Sequence, residues 1–274
     1  MSKKQRLDVL LVDRGVVESR EKAQKYIMAG MILVNDQKID KAGTKVDIDS
    51  RLRVIGKPMP FVSRGGFKLD EAFSVFPIDF TDKIVIDIGA STGGFVDCAL
   101  QHGARRVYAV DVGYGQLAWK LRTDERVINM EKTNARYLTP EDFPESMDWM
   151  TTDVSFISLT KILPAAIPLL RERADGVALI KPQFEAGREH VGKNGVVRDP
   201  AVHEDVIRRI LSCGEELGIY LQGLVHSPIR GPEGNIEYLY WFTKDKERSS
   251  VEVDVHRLVS DTFADFADKS GSGA

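Results

Sequence analysis

Val85-Ile86-Asp87-Ile88-Gly89-Ala90-Ser91-Thr92-Gly93-Gly94-Phe95 is the stretch that decides the fold of this chain. Three β-branched aliphatic residues around one acid predict a buried strand, and the small-residue turn after them opens a helix. In a doubly wound α/β domain such a turn presents backbone N–H groups to a nucleoside cofactor. Gly89, Gly93 and Gly94 allow close backbone approach, and Asp87 can accept charge-assisted hydrogen bonds from an ammonium group. Asp111 closes the next predicted strand, 22 residues beyond Gly89, where an acidic side chain meets ribose hydroxyls. The loop is not GxGxxG, because Ser91 stands where a dinucleotide fingerprint wants its second glycine. That looser loop points to a methyl donor, S-adenosylmethionine, rather than to a dehydrogenase. Just upstream, Ser63-Arg64-Gly65-Gly66-Phe67-Lys68-Leu69 sets a lysine ahead of the loop.

Around this stretch the chain alternates. Strands are predicted at Lys83–Ile88, Arg106–Asp111, Val127–Met130, Met147–Thr152, Gly176–Lys181, Ile219–Val225 and Ile236–Phe242. Helices are predicted at Gly94–Gln101, Gln116–Leu121 and Leu159–Leu170, and from Asp199-Pro200, an N-cap and first-turn proline, to about Leu217. Such alternation predicts a parallel sheet covered on both faces.

The first 60 residues read differently. Apolar residues at helical spacing over residues 6–14 stop at Gly15, and Ser19 can cap a second helix ending near Ala29 and Gly30. Short strand-like pieces follow at residues 31–34, 38–39 and 44–46, with an Asn35-Asp36 turn. Residues 1–60 carry 13 Lys/Arg against 8 Asp/Glu. The whole chain has a net charge of −3, so a small basic module precedes an acidic body, which suggests a polyanion partner for the module. Gly56-Lys57-Pro58-Met59-Pro60 marks the boundary. The expected organisation is a small α+β domain over 1–57, a linker over 58–62, an α/β domain over 63–268 and a flexible tail over 269–274.

Several classes are disfavoured. No apolar run reaches the roughly 18–20 residues that span a bilayer, and the basic amino terminus lacks the apolar core of a secretion signal. Two cysteines, Cys98 and Cys213, give no CxxC pair and fit a reducing cytoplasm. The five histidines show no paired ligand spacing, so no metal site is expected. Gly187–Asn194 imitates a phosphate-binding loop, but Asn194 replaces its hydroxyl residue and no helix follows directly; a loop beside the substrate is the expectation there.

Two short helices followed by Ala29-Gly30-Met31-Ile32-Leu33-Val34-Asn35 resemble the RNA-binding domain of the fourth small-subunit ribosomal protein. The resemblance implies RNA phosphate contacts from Arg6, Arg14, Arg20, Lys22 and Lys25, with Ser19 as a hydroxyl donor. Taken whole, the chain resembles the TlyA family, Rossmann-like, FtsJ-type ribose methyltransferases behind such a domain. The segments that carry this are Ser63–Leu69, Asp87–Phe95, Asp153-Val154-Ser155-Phe156-Ile157-Ser158, Ile180-Lys181-Pro182-Gln183-Phe184-Glu185 and Gly234-Asn235-Ile236-Glu237. The resemblance implies a catalytic set of Lys68, Asp153, Lys181 and Glu237. The candidate cofactor contacts are Ser63, Arg64, Gly65, Asp87, Gly89, Ala90, Ser91, Thr92, Gly93, Gly94, Phe95, Asp111, Asn134 and Asp153. It further implies methyl transfer from S-adenosylmethionine to a ribose 2′-hydroxyl of ribosomal RNA, cytidine for preference, with ribosomal RNA or subunits as partner.

A 2′-hydroxyl is a poor nucleophile, so a base must take its proton, and Lys181 is the candidate. Lys68 beside it favours the neutral amine, whereas Asp153 and Glu237 favour the charged form. The two acids are therefore expected to orient the lysines and the ribose. Family members often carry a haemolysin label, which makes a membrane-active protein the second reading. A non-catalytic RNA-binding protein is the third. The one amphipathic candidate for a membrane, Val251–Phe266, is acidic and is expected to pack on the core.

Overall fold

The computed structural model describes residues 3–28, 30–55 and 59–271, and for Pro232 and residues 268–271 the backbone alone. Ala29, residues 56 and 57 at the end of the expected first domain and residue 58 of the expected linker lie outside the described residues, as do Ser272-Gly273-Ala274 of the expected tail. The chain divides into two compact units, Met1–Pro60 and Phe61–Ala274.

The first unit holds β1 (Lys4–Arg6), α1 (Leu7–Asp13), α2 (Arg20–Met28), β2 (Ile32–Val34), β3 (Gln37–Lys38), β4 (Lys45–Asp47) and β5 (Leu52–Val54). The helices end as the sequence dictates. Gly15 and Gly30 both take a left-handed φ of 65°, and the Ser19 hydroxyl accepts the Lys22 amide N–H at 3.2 Å. Asn35 and Asp36 both have positive φ, the geometry of a two-residue hairpin turn, and join β2 to β3, which pair antiparallel. Leu7, Leu11, Ala23, Ile27 and Ile32 are fully buried and form this unit's own core. The short pairings of β1 with β4 and of β2 with β5 escape periodicity, because three residues carry no period.

The second unit contains α3 (Gly66–Val75), β6 (Ile84–Ile88), α4 (Gly94–Gln101), β7 (Arg106–Val110), α5 (Trp119–Arg122), β8 (Val127–Met130), β9 (Met147–Thr152), α6 (Leu163–Ala166), β10 (Leu170–Ile180), α7 (Pro182–Glu185), α8 (Pro200–Glu216), β11 (Tyr220–His226), β12 (Tyr238–Thr243) and α9 (Val255–Gly271). Its seven strands run in the order β11-β12-β10-β9-β6-β7-β8. Every residue of the central β6 is buried, with Ile84, Ile86 and Ile88 in the core layer on one side and Val85 in the layer on the other. Two-sided burial explains why the strand reads as a continuous apolar run.

Two expectations are corrected. The sheet is mixed rather than parallel, since β12 runs antiparallel to both β10 and β11. The helix expected over Leu159–Leu170 is broken into a 3₁₀ turn, α6 and a second 3₁₀ turn. Pro164 and Pro168 remove two amide donors there, and Leu170 already belongs to β10. The final helix packs through Val255, Val259 and Phe266 on the main core and continues to Gly271, past the expected start of the tail.

Candidate active site

Four charged side chains converge at the end of the sheet where the parallel strands finish. Asp153 follows β9, Lys181 follows β10, and Lys68 lies in the first turn of α3. Glu237 immediately precedes β12, whose reversed direction sets Tyr238 opposite Ile180. The antiparallel strand thus delivers an acid to the carboxyl end of its parallel neighbours. Lys68 Nζ donates to Glu237 Oε2 at 2.7 Å and to Asp153 Oδ2 at 3.4 Å. Lys181 Nζ lies 2.6 Å from Asp153 Oδ1 and donates to Ser155 Oγ at 2.9 Å. Lys68, Lys181 and Glu237 are buried. Two cations and two anions alternate along this chain, so the buried set is neutral as a whole, the condition under which such charges are tolerated.

The glycine loop forms the adjoining wall. Gly89 and Gly93 have φ of 88° and 97°, values that suit glycine alone. A Cβ on Gly94 would stand 2.3 Å from Ser63 Oγ and 2.8 Å from the Gly66 backbone nitrogen. The turn Ser63-Arg64-Gly65 therefore packs directly on the start of α4, anchored by Asp97, whose carboxylate accepts the Val62 amide at 2.8 Å. Asp111 accepts the Ser91 amide at 2.8 Å and the Gly113 amide at 2.6 Å, which ties the glycine loop to the end of β7.

Two cavities meet at this loop. One, of about 240 Å³, is lined by Ser63, Arg64, Gly65, Lys68, Asp87, Ala90, Thr92, Gly94, Phe95, Lys181 and the loop Ile229-Arg230-Gly231. The other, of about 370 Å³, is lined by Val110, Asp111, Gln116, Thr133, Asn134, Phe156 and Ile162. Gly89, Ser91, Asp153 and Ser155 line both. Asn134 uses its carbonyl to accept the Arg136 amide at 3.2 Å, which leaves its N–H donors uncommitted by that bond. Of the expected contacts, Gly93 lines neither cavity; its added Cβ would meet Leu121 and Leu117, so it shapes the loop from behind.

Asp87 is the electrostatic anomaly. Its Oδ1 accepts the Thr151 hydroxyl at 2.7 Å, while Oδ2 is buried with no hydrogen-bond partner among the described residues. Desolvation pushes this carboxyl up to about 7, with the nearby Asp153 and Asp111 charges adding to the rise and the Thr151 bond opposing it. An orphaned buried carboxylate oxygen beside a glycine cradle is a seat for a cation.

The sequence reading missed Ser155, Gln183, Thr151 and the 229–231 loop. Ser155 and Gln183 each lie two residues from a catalytic candidate, which was the available signal. Gln183 Nε2 donates to Glu237 Oε1 at 3.1 Å. Glu185 accepts the Leu159 amide at 2.7 Å and the Ser158 hydroxyl at 2.6 Å, which joins the segments that begin at Asp153 and at Lys181. Phe156 is 90% exposed, has a left-handed φ of 63° and packs on Phe184 at 4.9 Å. Among the described residues, Asp70, Cys98 and His102 form a further group of metal-ligand type. Cys98 on α4 and His102, which caps its carboxyl end, lie four apart, a spacing that the sequence does not flag as paired ligands. His102 bonds Asp70 at 3.0 Å and stacks on Phe73, and burial raises the Cys98 thiol pKa far above its ordinary value.

In the first unit, Asp8 gathers the basic residues. It is fully buried and accepts from Arg6 at 3.0 and 2.9 Å, from Arg20 at 2.9 Å and from Gln24 at 3.0 Å. The Arg6 hydrogen bonds hold its carboxyl well below the usual range. Arg14 donates to the carbonyls of Ser50, at 2.7 Å, and Ile48, and Lys22 pairs with Glu18. Lys25 is exposed.

Known proteins bear directly on this arrangement. Residues 61–244 match the FtsJ-like methyltransferase model and residues 5–52 match the S4 domain. The 16S/23S rRNA (cytidine-2′-O)-methyltransferase TlyA of Mycobacterium tuberculosis is 41% identical over 95% of this chain and 99% of its own length. The chain belongs to the TlyA family of FtsJ-like methyltransferases. YqxC of Bacillus subtilis, provisionally named an rRNA methyltransferase, is 54% identical over 98% of this chain and 97% of its own. A solved Streptococcus thermophilus structure with a provisional hemolysin label is 44% identical, has a TM-score of 0.77 and covers 99% of this chain and 100% of that one. Among the described residues, no helix is long and apolar enough to cross a membrane.

Proposed function

We propose that this protein transfers a methyl group from S-adenosylmethionine to a ribose 2′-hydroxyl of ribosomal RNA, with cytidine as the acceptor nucleoside. The observation that carries the reading is the neutral chain Lys181–Asp153–Lys68–Glu237 beside a glycine cradle with an orphaned carboxylate oxygen. When bound, S-adenosylmethionine supplies the electrophilic methyl. Asp87 Oδ2 would take its ammonium, Gly89 to Gly94 would admit its backbone-hugging portion, and Asp111 and Asn134 would hold its nucleoside end. Expulsion of water from this pocket strengthens each of those contacts.

Lys181 is the base in this scheme once its ammonium has released a proton to solvent, since only the free amine can take the hydroxyl proton. Its Nζ is held by Asp153 and Ser155 at the junction of the two cavities, where a hydroxyl already sits 2.9 Å away on Ser155. The acceptor 2′-hydroxyl would occupy an equivalent position, giving up its proton as the oxygen attacks. Lys68, bridging both acids, keeps Asp153 from binding Lys181 alone. Phe156 offers an exposed ring at the mouth, suited to stacking an unpaired base.

The first unit supplies affinity for phosphate. Arg6 and Arg20 are fixed by Asp8 yet have side chains 45% and 56% exposed, so ordered guanidinium groups face solvent with little entropy left to lose. Cytoplasmic location follows from the proposed substrate. The decisive test is transfer of labelled methyl to 30S and 50S subunits isolated from cells lacking the gene, followed by mapping of 2′-O-methyl sites. No incorporation into either subunit would refute the reading.

A further inference from the structure

We infer that Gln183 is a positioning residue of the methyl-transfer site, fixing the Glu237 carboxylate and, through it, the Lys68 ammonium. The inference rests on the reaction proposed above. Glu237 is held from two sides, with Lys68 Nζ at 2.7 Å from Oε2 and Gln183 Nε2 at 3.1 Å from Oε1. The loop closes a third side, because a Cβ on Gly231 would stand 2.2 Å from Glu237 Oε1. A carboxylate bonded to an ammonium only accepts hydrogen bonds, so the amide nitrogen of Gln183, not its oxygen, must face it.

That orientation leaves Gln183 Oε1 buried with no hydrogen-bond partner among the described residues. An aliphatic side chain would fill the same space without stranding a carbonyl. The bond to Glu237 is therefore the feature that calls for glutamine. Its platform is rigid: α7 begins at Pro182 and is pinned through Glu185 to Ser158 and Leu159.

Without the amide donor, Glu237 is free to turn both oxygens on Lys68. The longest link of the chain, Lys68 to Asp153 at 3.4 Å, is then the one that breaks. Asp153 is left to Lys181 alone, and the alternating chain that holds Lys181 in place for the acceptor hydroxyl is broken. Gln183 lines neither of the two cavities around the glycine loop, so cofactor affinity is spared. Of the charged groups around the Gln183–Glu237 pair, Lys68 from α3 bonds Glu237 directly, Asp153 after β9 is joined to it through Lys68 and Lys181 after β10 through Asp153, and Arg188 lines the shallow cavity shared with Gln183.

The test compares Gln183→Met and Gln183→Glu in the full-length protein. The readouts are labelled methyl transfer to gene-deleted 30S and 50S subunits, calorimetry with S-adenosylmethionine, and thermal melting. For Gln183→Met, loss of a hydrogen bond to a charged group predicts a kcat about 10- to 100-fold lower, with cofactor Kd and melting unchanged. Gln183→Glu is rescued at acidic pH, where its protonated carboxyl donates to Glu237. It loses activity as pH rises and the shared proton leaves, an alkaline limb absent from the wild type. A wild-type kcat in Gln183→Met, or one common pH profile for both variants, overturns the positioning role alone. A wild-type protein inactive on both subunits overturns the reaction and this role together.

Discussion

Replacing Asp87 with asparagine should stabilise the protein and destroy its cofactor site. The carboxyl is raised from its ordinary 3.8 to about 7 by burial. The folded state then holds the proton more tightly than the unfolded chain, so this group's contribution to stability is fully present below pH 3.8 and is lost as pH rises to about 7. At about 1.4 kcal/mol per pH unit the full loss above pH 7 is roughly 4 kcal/mol. Asparagine removes that loss and keeps the acceptor for Thr151, but it puts an unpaired N–H₂ where Oδ2 now lies, at a cost of about 1–3 kcal/mol. The expected net gain at pH 8 is roughly 1–3 kcal/mol, a rise of about 2–10 °C for a unit of this size. At pH 4 the gain vanishes or reverses, since the wild-type carboxyl is then neutral. Calorimetric melting of both proteins at pH 4 and pH 8, with a titration of S-adenosylmethionine at pH 8, measures all three effects. The wild type should also lose cofactor affinity tenfold per pH unit below about 7, as the carboxylate is titrated. An equal melting difference at the two pH values, or unchanged cofactor binding by Asp87→Asn, would refute the reasoning.

Lys181→Ala should abolish methyl transfer while calorimetry still records cofactor binding; near-normal turnover would remove Lys181 from its role. Gly94→Ala should weaken cofactor binding at least tenfold, because its Cβ would force Ser63 and the Gly66 backbone off the loop, and a Kd within twofold of wild type counts against that packing argument. Deleting residues 1–57 should weaken RNA binding and flatten its dependence on salt while leaving cofactor affinity intact, as filter binding across a salt series would record. Asp8→Asn should destabilise the first unit by about 1–3 kcal/mol at neutral pH, since two half-exposed arginines lose their shared partner; the wild-type advantage should disappear as the medium is acidified through and below pH 4, because this carboxyl binds its proton more weakly folded than unfolded.

Much of the second unit is legible from local pattern because β6 is buried on both faces and the loop after it has a fixed chemical task. Strands β8 and β9 and helix α4 fall where their apolar runs predict, and Asp199 caps α8 by accepting the Ala201 amide at 2.9 Å. Strand direction is not a local property. The alternation of strands and helices suggested a parallel sheet, yet α8 is followed by a hairpin-like return through β11 and β12, and nothing in the residues 236–242 marks that reversal. The same holds for the four-residue charged set, whose members are 85 and 169 residues apart in the pairs Lys68–Asp153 and Lys68–Glu237; only family resemblance could join them.

The two surprises share a physical cause. Glu237 reaches the carboxyl ends of β9 and β10 because its strand is inverted, so its position at the start of a strand becomes the equivalent of a position at the end of one. Asp8 sits in a helix that looks amphipathic, yet the face it occupies is buried, and the arginines that read as a basic surface are bonded to it from outside. In both places a buried carboxylate organises cations that a linear reading scores as independent. Charges read from a sequence are counted one by one, whereas a low-dielectric interior admits them only as compensated groups. For this protein, the useful unit of interpretation is therefore the group: Asp8 with Arg6, Arg20 and Gln24 in one unit, and Lys181, Asp153, Lys68, Glu237 and Gln183 in the other. A variant that removes one member should be judged by the partner it strands, which is why Gln183, uncharged and without a motif of its own, belongs among the residues that govern turnover.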